Sequence, residues 1–305
     1  MSASVSALLA QGPQPIDGGL ASLLEARGHQ LSDALWSARV LADDPDAIVA
    51  AHREYVDAGA KVLVTASYQV SRQGFAGVGR SPEDADAALR RSVDVARAAA
   101  AGTDVLVAAS VGPYGAITHD GGEYRGRYGL SRQQLANFHR ERIEVLVDAG
   151  PDLLAIETIP DAEEVAALVD VLADFPDTPA WISLSCADGG HTNAGQPVEE
   201  AAVMAARAAN VVAVGVNCTS PAYVAEILAR MHDATGLPLV AYPNTGRAWN
   251  PQRGWLGPAT GLDDDLLDSW LRQPGLALLG GCCGIGPDAI AQIAERLNDQ
   301  AGSTT

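Results

Sequence analysis

Three cysteines have the chemistry and the spacing to hold one soft metal ion. Cys218 ends the stretch Gly215-Val216-Asn217-Cys218, and Cys282 and Cys283 are adjacent in Gly280-Gly281-Cys282-Cys283-Gly284. Three thiolates fill three corners of a tetrahedron and leave the fourth for water or substrate, the arrangement of a catalytic zinc site. Soft sulfur ligands favour zinc over magnesium or calcium. Glycines on both sides of the pair permit the sharp turn that would aim two neighbouring side chains at one ion. Buried core thiols or a redox pair are the competing readings. The fourth cysteine, Cys186, reads as packing, because free cysteine is a common buried residue.

Polar residues elsewhere in the chain could serve the same site. Glu157 closes the apolar run Leu153-Leu154-Ala155-Ile156. A carboxylate at that boundary can grip a substrate ammonium, or it can be a solvated acid at a helix start. Asp17 has the same two readings, with Gly18 and Gly19 permitting close approach of a ligand to the backbone. Asn217 can fix a carboxylate or satisfy backbone groups next to Cys218. Tyr68, Trp36 and Trp249 are pocket candidates, although an aromatic side chain is more often packing. The six histidines show no paired metal spacing, and only His191, in the turn Gly189-Gly190-His191, falls on the matching face. Lys61 is the sole lysine and begins its strand, at the face opposite to where a Schiff-base lysine would sit, and the same shortage removes a Walker loop. The stretch Gly284-Ile285-Gly286-Pro287-Asp288-Ala289 superficially matches a dinucleotide glycine loop, but it follows the last strand and leaves no room for the second half of a βαβ unit.

These residues need strands to deliver them to one place. Short, continuous apolar runs suited to buried parallel strands lie at Pro15 to Gly18, Lys61 to Thr65, Val105 to Ser110, Leu153 to Glu157, Ala180 to Cys186, Val211 to Asn217, Leu239 to Tyr242 and Leu276 to Gly280. Amphipathic helical patterns alternate with them near 46–58, 83–100, 131–149, 161–173, 197–209, 220–235, 262–272 and 287–300. Start signals stand at Ser81-Pro82, Ser131, Gln196-Pro197, Ser220-Pro221 and Gly286-Pro287, and Gly59, Gly150 and Gly236 follow helices as left-handed caps. Eightfold strand and helix alternation predicts a (β/α)8 TIM-type barrel, with an open doubly wound sheet as the alternative. In a barrel, Asp17, Glu157, Asn217, Cys218, Cys282 and Cys283 all reach the carboxyl ends of strands, where active sites are built. Two long loops, Gly19 to Asp44 and Val111 to Leu130, would shape that face. Residues 1–305 are expected to form one barrel domain with a short flexible polar tail from Ala301 to Thr305.

Composition narrows the partners. With 305 residues and 48% hydrophobic content, the chain can bury a large core, and its formal charge of -18 argues against nucleic acid or an anionic membrane. No apolar run approaches the ~20 residues that span a bilayer, and no basic segment with an apolar signal core opens the chain. A cytoplasmic protein with reduced thiols is expected.

The chain resembles the zinc-dependent homocysteine S-methyltransferases over almost its whole length, most of all the type that uses S-methylmethionine. The matching pieces are DGG (Asp17 to Gly19), SDALWSARVL (Ser32 to Leu41), TASYQ (Thr65 to Gln69), SVGPYGA (Ser110 to Ala116), EYRG (Glu123 to Gly126), IETIP (Ile156 to Pro160), GVNC (Gly215 to Cys218), YPNTG (Tyr242 to Gly246) and GGCC (Gly280 to Cys283). The resemblance implies that Cys218, Cys282 and Cys283 bind Zn2+, that Asp17, Glu157 and Asn217 hold the amino-acid end of homocysteine, and that Trp36 and Tyr68 contribute to the pocket. The sequence departs from the usual pattern at Leu23, Arg127 and Arg247, where many similar proteins carry acidic residues. The expected reaction transfers a methyl group from a sulfonium donor, S-methylmethionine or S-adenosylmethionine, to the zinc-bound homocysteine thiolate, giving methionine. A zinc-binding thiol sensor, another thiol or selenol acceptor, a betaine donor and an oxidoreductase stand as alternatives.

Overall fold

The computed structural model describes residues 3–29, 37–250, 254–256 and 262–303. Eight parallel strands form one sheet: β1 (Gln14–Pro15), β2 (Val62–Val64), β3 (Leu106–Val111), β4 (Leu153–Ile159), β5 (Ala180–Leu184), β6 (Val211–Asn217), β7 (Leu239–Tyr242) and, after a small antiparallel hairpin of β8 (Ala248–Asn250) and β9 (Gly254–Leu256), β10 (Leu276–Leu279). Their order is β1-β10-β7-β6-β5-β4-β3-β2, and a parallel bridge between Ile16 and Val62 joins the two edges. The sheet is thus the expected (β/α)8 barrel, ringed by helices.

Parity along the strands sorts the side chains. Outward residues such as Leu154, Ile156, Ile182 and Ala241 pack against the helices. Inward residues Ile16, Val62, Ala108, Leu153, Ala155, Trp181, Val240 and Leu278 fill the lower barrel. Each aliphatic side chain buried in this way contributes about 1.5–3 kcal/mol. The bottom is stoppered by a helix at Ala3–Ala10, which the strand and helix alternation does not anticipate. Its Val5 is 1% exposed, and Leu8 and Leu9 also pack on the inward cluster.

Helix starts follow their signals. Ser81 and Ser131 form reciprocal capping boxes with Asp84 and Gln134, each cap stabilising by ~1 kcal/mol. Gly59, Gly150 and Gly236 take positive φ after helices. Two expectations need correction. The segment after β1 is not an extended loop, since it folds into helices at Leu20–Ala26 and Ser37–Asp43. The last helix also runs on into the polar tail, spanning Pro287–Ser303 despite Gly302, a poor helix former.

Candidate metal centre and its pocket

Strands β6 and β10 are separated in the sheet only by β7, so residues just past their ends can meet. Cys218 turns inward through a left-handed backbone, φ 47°. Its N–H donates to the Tyr242 carbonyl at 3.2 Å, and Asn244 Nδ2 donates to its carbonyl at 3.1 Å. The Cys282 N–H donates to the Pro243 carbonyl at 2.8 Å. Glycine is required around the pair because backbones pass in contact. A Cβ on Gly19 would lie 2.5 Å from the Cys282 carbonyl oxygen, and one on Gly281 2.1 Å from Ile285. The close approach at Gly18 is likewise to protein, since its Cβ would meet the Ile285 carbonyl at 2.4 Å.

The three sulfurs form a compact triangle. Cys282 Sγ is 3.1 Å from Cys218 Sγ, Cys283 Sγ is 3.5 Å from Cys218 Sγ, and the adjacent pair is 3.9 Å apart. A tetrahedral ion with ~2.3 Å bonds to sulfur sets its ligand edges at ~3.8 Å, close to this triangle, whereas a disulfide needs ~2.05 Å. The three thiols lie within hydrogen-bonding distance of one another. Hydrogen bonds from Cys282 and then Cys283 lower the Cys218 pKa well below the usual thiol value, against its burial, while bonding to Cys218 pushes both partners up. The Tyr124 hydroxyl adds a hydrogen bond to Cys218 Sγ at 3.2 Å. The donor set fits zinc, whose binding displaces thiol protons.

Above the apolar layers, the inward parity turns polar. Glu157 follows Leu153 and Ala155 on the same face of β4, and its carboxylate accepts from Ser110 Oγ of β3 and from the Tyr242 side chain of β7. Burial, with the Cys218 charge adding to it and the Ser110 and Tyr242 hydrogen bonds opposing it, brings its carboxyl up to about 7. Asp17 accepts the Val64 N–H at 2.8 Å, and burial, with Glu157 adding to it, holds its pKa well above the ordinary value. Asn217 is a strut: its Oδ1 accepts from the Thr158 N–H at 2.6 Å and Ser183 Oγ at 2.9 Å, and its Nδ2 donates to Thr158 Oγ1 at 2.8 Å. These bonds hold Thr158 at φ 61°, a left-handed conformation costing a β-branched residue roughly 1–3 kcal/mol. Tyr68 lies over Gly112, whose added Cβ would sit 2.6 Å from the ring, and its phenol hydrogen-bonds Thr158. Burial, then the charges of Glu123 and Cys218, raises that phenol well above its ordinary value.

Several residues here had no role assigned from sequence. Ser110 and Tyr242 are signalled only by inward parity, and Glu123 and Tyr124 only by their place in a long loop. Gly115 and Gly122 bring that loop together, since a Cβ on Gly115 would lie 2.3 Å from the Gly122 carbonyl carbon. Other candidates stand apart from the thiols. His191 is exposed and hydrogen-bonded to Asp188 at 3.0 Å, and Cys186 packs in the outer core, where burial raises its pKa. Leu23 packs against the core, and Arg127 donates to the Asp161 carboxylate and the Ala194 carbonyl. Trp36 and the Trp249 side chain lie outside the described residues.

A second buried polar network supports the loop from behind. Glu164 Oε1 accepts from the Tyr114 N–H at 2.6 Å and from His139 Nε2 at 2.9 Å, and its Oε2 accepts from Tyr128 at 3.3 Å. Arg142, 1% exposed, donates to the carbonyls of Gly112, Ser67 and Tyr68. Burial lowers its pKa to about 10, so it keeps its charge at neutral pH.

Comparison with known proteins agrees with this geometry. Residues 16–297 match the sequence model of the family described as homocysteine S-methyltransferase. Homocysteine S-methyltransferase 4 of Zea mays is 41% identical over 311 residues, covering 95% of this chain and 91% of that protein. The homocysteine S-methyltransferase of Escherichia coli is 41% identical over 293 residues, covering 92% and 94%. The metallated form of the homocysteine methyltransferase MmuM from Escherichia coli superposes with a TM-score of 0.86 at 40% identity, covering 96% of this chain and 99% of that one.

Proposed function

The chain belongs to the homocysteine S-methyltransferase family, whose members are zinc-dependent methyltransferases, and from that premise we propose that its donor is a sulfonium, S-methylmethionine, and that Cys218, Cys282 and Cys283 hold the zinc. The observation that carries the reading is the triangle of three sulfurs on the strand-end face that also carries the buried Asp17 and Glu157, with no lysine among them. When bound, the ion supplies a Lewis acid that ionises the acceptor thiol, which is otherwise a poor nucleophile near pH 7 with a reference pKa of ~8.5. Asp17 and Glu157 receive the ammonium of homocysteine and thereby fix its distance from the sulfurs. Asn217 braces Thr158, the residue after Glu157, and remains within the homocysteine subsite.

The electron count needs no general acid. The acceptor thiolate gives a pair to the methyl carbon, the bond from that carbon to the donor sulfur breaks, and the pair stays on sulfur. A cation and an anion become two neutral thioethers. The protein's share is positioning, which reaches ~7–11 kcal/mol for well-aligned reactants. A site rich in acids recruits cations, which favours a charged donor.

Selenohomocysteine with S-methylmethionine tests this directly. The expected result is a methylated product together with a zinc to selenium distance in the X-ray absorption spectrum. Turnover with no selenium in the zinc shell overturns the acceptor site, and no turnover with S-methylmethionine overturns the donor.

A further inference from the structure

Glu123 is a buried acid that neither the thiols nor the homocysteine subsite accounts for. It is 9% exposed, and its Oε2 is shielded from solvent with no hydrogen-bond partner. Its backbone is fixed, because Ser185 Oγ donates to its carbonyl at 3.0 Å and Gly115 and Gly122 let the loop pack behind it. The next residue, Tyr124, reaches Cys218 Sγ at 3.2 Å. Glu123 interacts electrostatically with both Cys218 and Tyr68, so its carboxylate lies on the same side of the loop as the thiols. Burial pushes its carboxyl up to about 7. The neighbouring base, Arg125, is exposed and paired with Asp120 at 2.8 Å. A buried carboxylate lacking a partner costs stability and is a place where a complementary ligand group gains affinity.

That group must be cationic and must come close to the thiols. The homocysteine ammonium already has Asp17 and Glu157. Resting on the sulfonium-donor reading above, we infer that Glu123 holds the positively charged sulfur of the methyl donor, with Tyr68 and Tyr124 beside it. Its contribution is to binding, not to chemistry. The positive charge is largest in the bound donor, shrinks as the methyl carbon moves to the acceptor, and is gone in the thioether product. Glu123 therefore strengthens donor capture, gives nothing to the transition state beyond that, and releases a product it no longer attracts.

The test compares the zinc-loaded full chain with its Glu123→Gln and Glu123→Asp variants. Binding of S-methylmethionine is measured by calorimetry without homocysteine, with methionine as the neutral probe, and steady-state constants are measured for both substrates. Glu123→Gln is expected to raise the Kd and KM for S-methylmethionine by about 10-fold or more, as loss of a buried charge partner does. In the same variant kcat should be unchanged or higher, and methionine affinity and the homocysteine KM should stay within about twofold, the signature of lost ground-state binding. Glu123→Asp, which keeps the charge, should fall between. A raised homocysteine KM with an unchanged donor KM overturns the assignment by moving Glu123 to the acceptor. Unchanged constants for both substrates, with an altered melting temperature, make it a scaffold residue and also overturn it. Wild-type protein that does not turn over S-methylmethionine fails the donor reading itself, a result separable from any variant's behaviour.

Discussion

Two groups of buried charge flank the loop from 111 to 130, and they are built differently. Behind it, Glu164 has both oxygens engaged, and Arg142 caps three carbonyls while balancing the acid's charge. In front of it, Asp17, Glu157 and Glu123 are all pushed toward their neutral forms, and Glu123 has an oxygen with no partner. The first group is internally balanced and holds the loop. In the second, burial opposes ionisation of the acids, and a metal ion, an ammonium and a sulfonium would favour their charged forms. Buried polarity is thus a marker of function only where its charge is left open.

The largest expected effect comes from removing the open site's centre. Cys282→Ser should leave the fold intact, take zinc from about one per chain to near none by elemental analysis, and cut turnover by more than the roughly 10- to 100-fold cost of losing an outer-shell partner. Full zinc in that variant would break the comparison. Next is the balanced group: Arg142→Met strands Glu164 and three carbonyls and should cost ~3–5 kcal/mol, lowering Tm by roughly 10 °C. A variant melting with the parent would show that Arg142 does not brace the loop.

Glu157→Gln should do the opposite. It should raise the homocysteine KM roughly 100-fold, because a buried ammonium loses its charge partner, with Tm equal to or above the parent's. Its pH dependence follows from the sign of the shift. Glu157 in the folded state titrates at about 7 against an ordinary 4.5, so the native protein binds more protons than the unfolded chain between those values. Stability present below pH 4.5 is lost as pH rises toward 7 and then levels off, by on the order of a few kcal/mol. Denaturant melts of the metal-free protein from pH 4.5 to 8 should show this decline, and Glu157→Gln should make it shallower. The smallest effect is Tyr128→Phe, which removes one 3.3 Å hydrogen bond to Glu164 and should cost about 1 kcal/mol with both KM values unmoved.

The barrel was legible because its signals are local. Apart from β1 at Gln14–Pro15, each barrel strand is a short, mostly apolar run, and the caps at Ser81, Ser131 and Gly236 declare their helices. Strand-end positions also place Cys218, Cys282 and Cys283 on one face of the barrel, where their sulfurs meet. What escaped depends on register or on long-range packing. Ser110 and Tyr242 are inward by parity, which the sequence contains, but their partner in Glu157 depends on the stagger between neighbouring strands. Glu123 and Tyr124 sit in an irregular loop whose path is set by the contact of Gly115 with Gly122. Asn217, which sequence left between two readings, is engaged in bracing Thr158, and only the left-handed turn at Thr158 reveals why an amide is needed there.

The helix at Ala3–Ala10 has a consequence for how the molecule comes to exist. It is synthesised before every barrel strand, yet the inward cluster it joins includes Val62, Leu153, Val212 and Leu278, spread over more than 200 residues of later chain. During translation the apolar side of this helix has nowhere to dock until the last strand leaves the ribosome. Such contacts, distant in sequence, form late and slowly, and the surfaces they will cover stay exposed in the meantime. Seating the stopper is therefore a natural final event in folding, and pulse-labelled hydrogen exchange should find the amides of residues 5–10 among the last to gain protection.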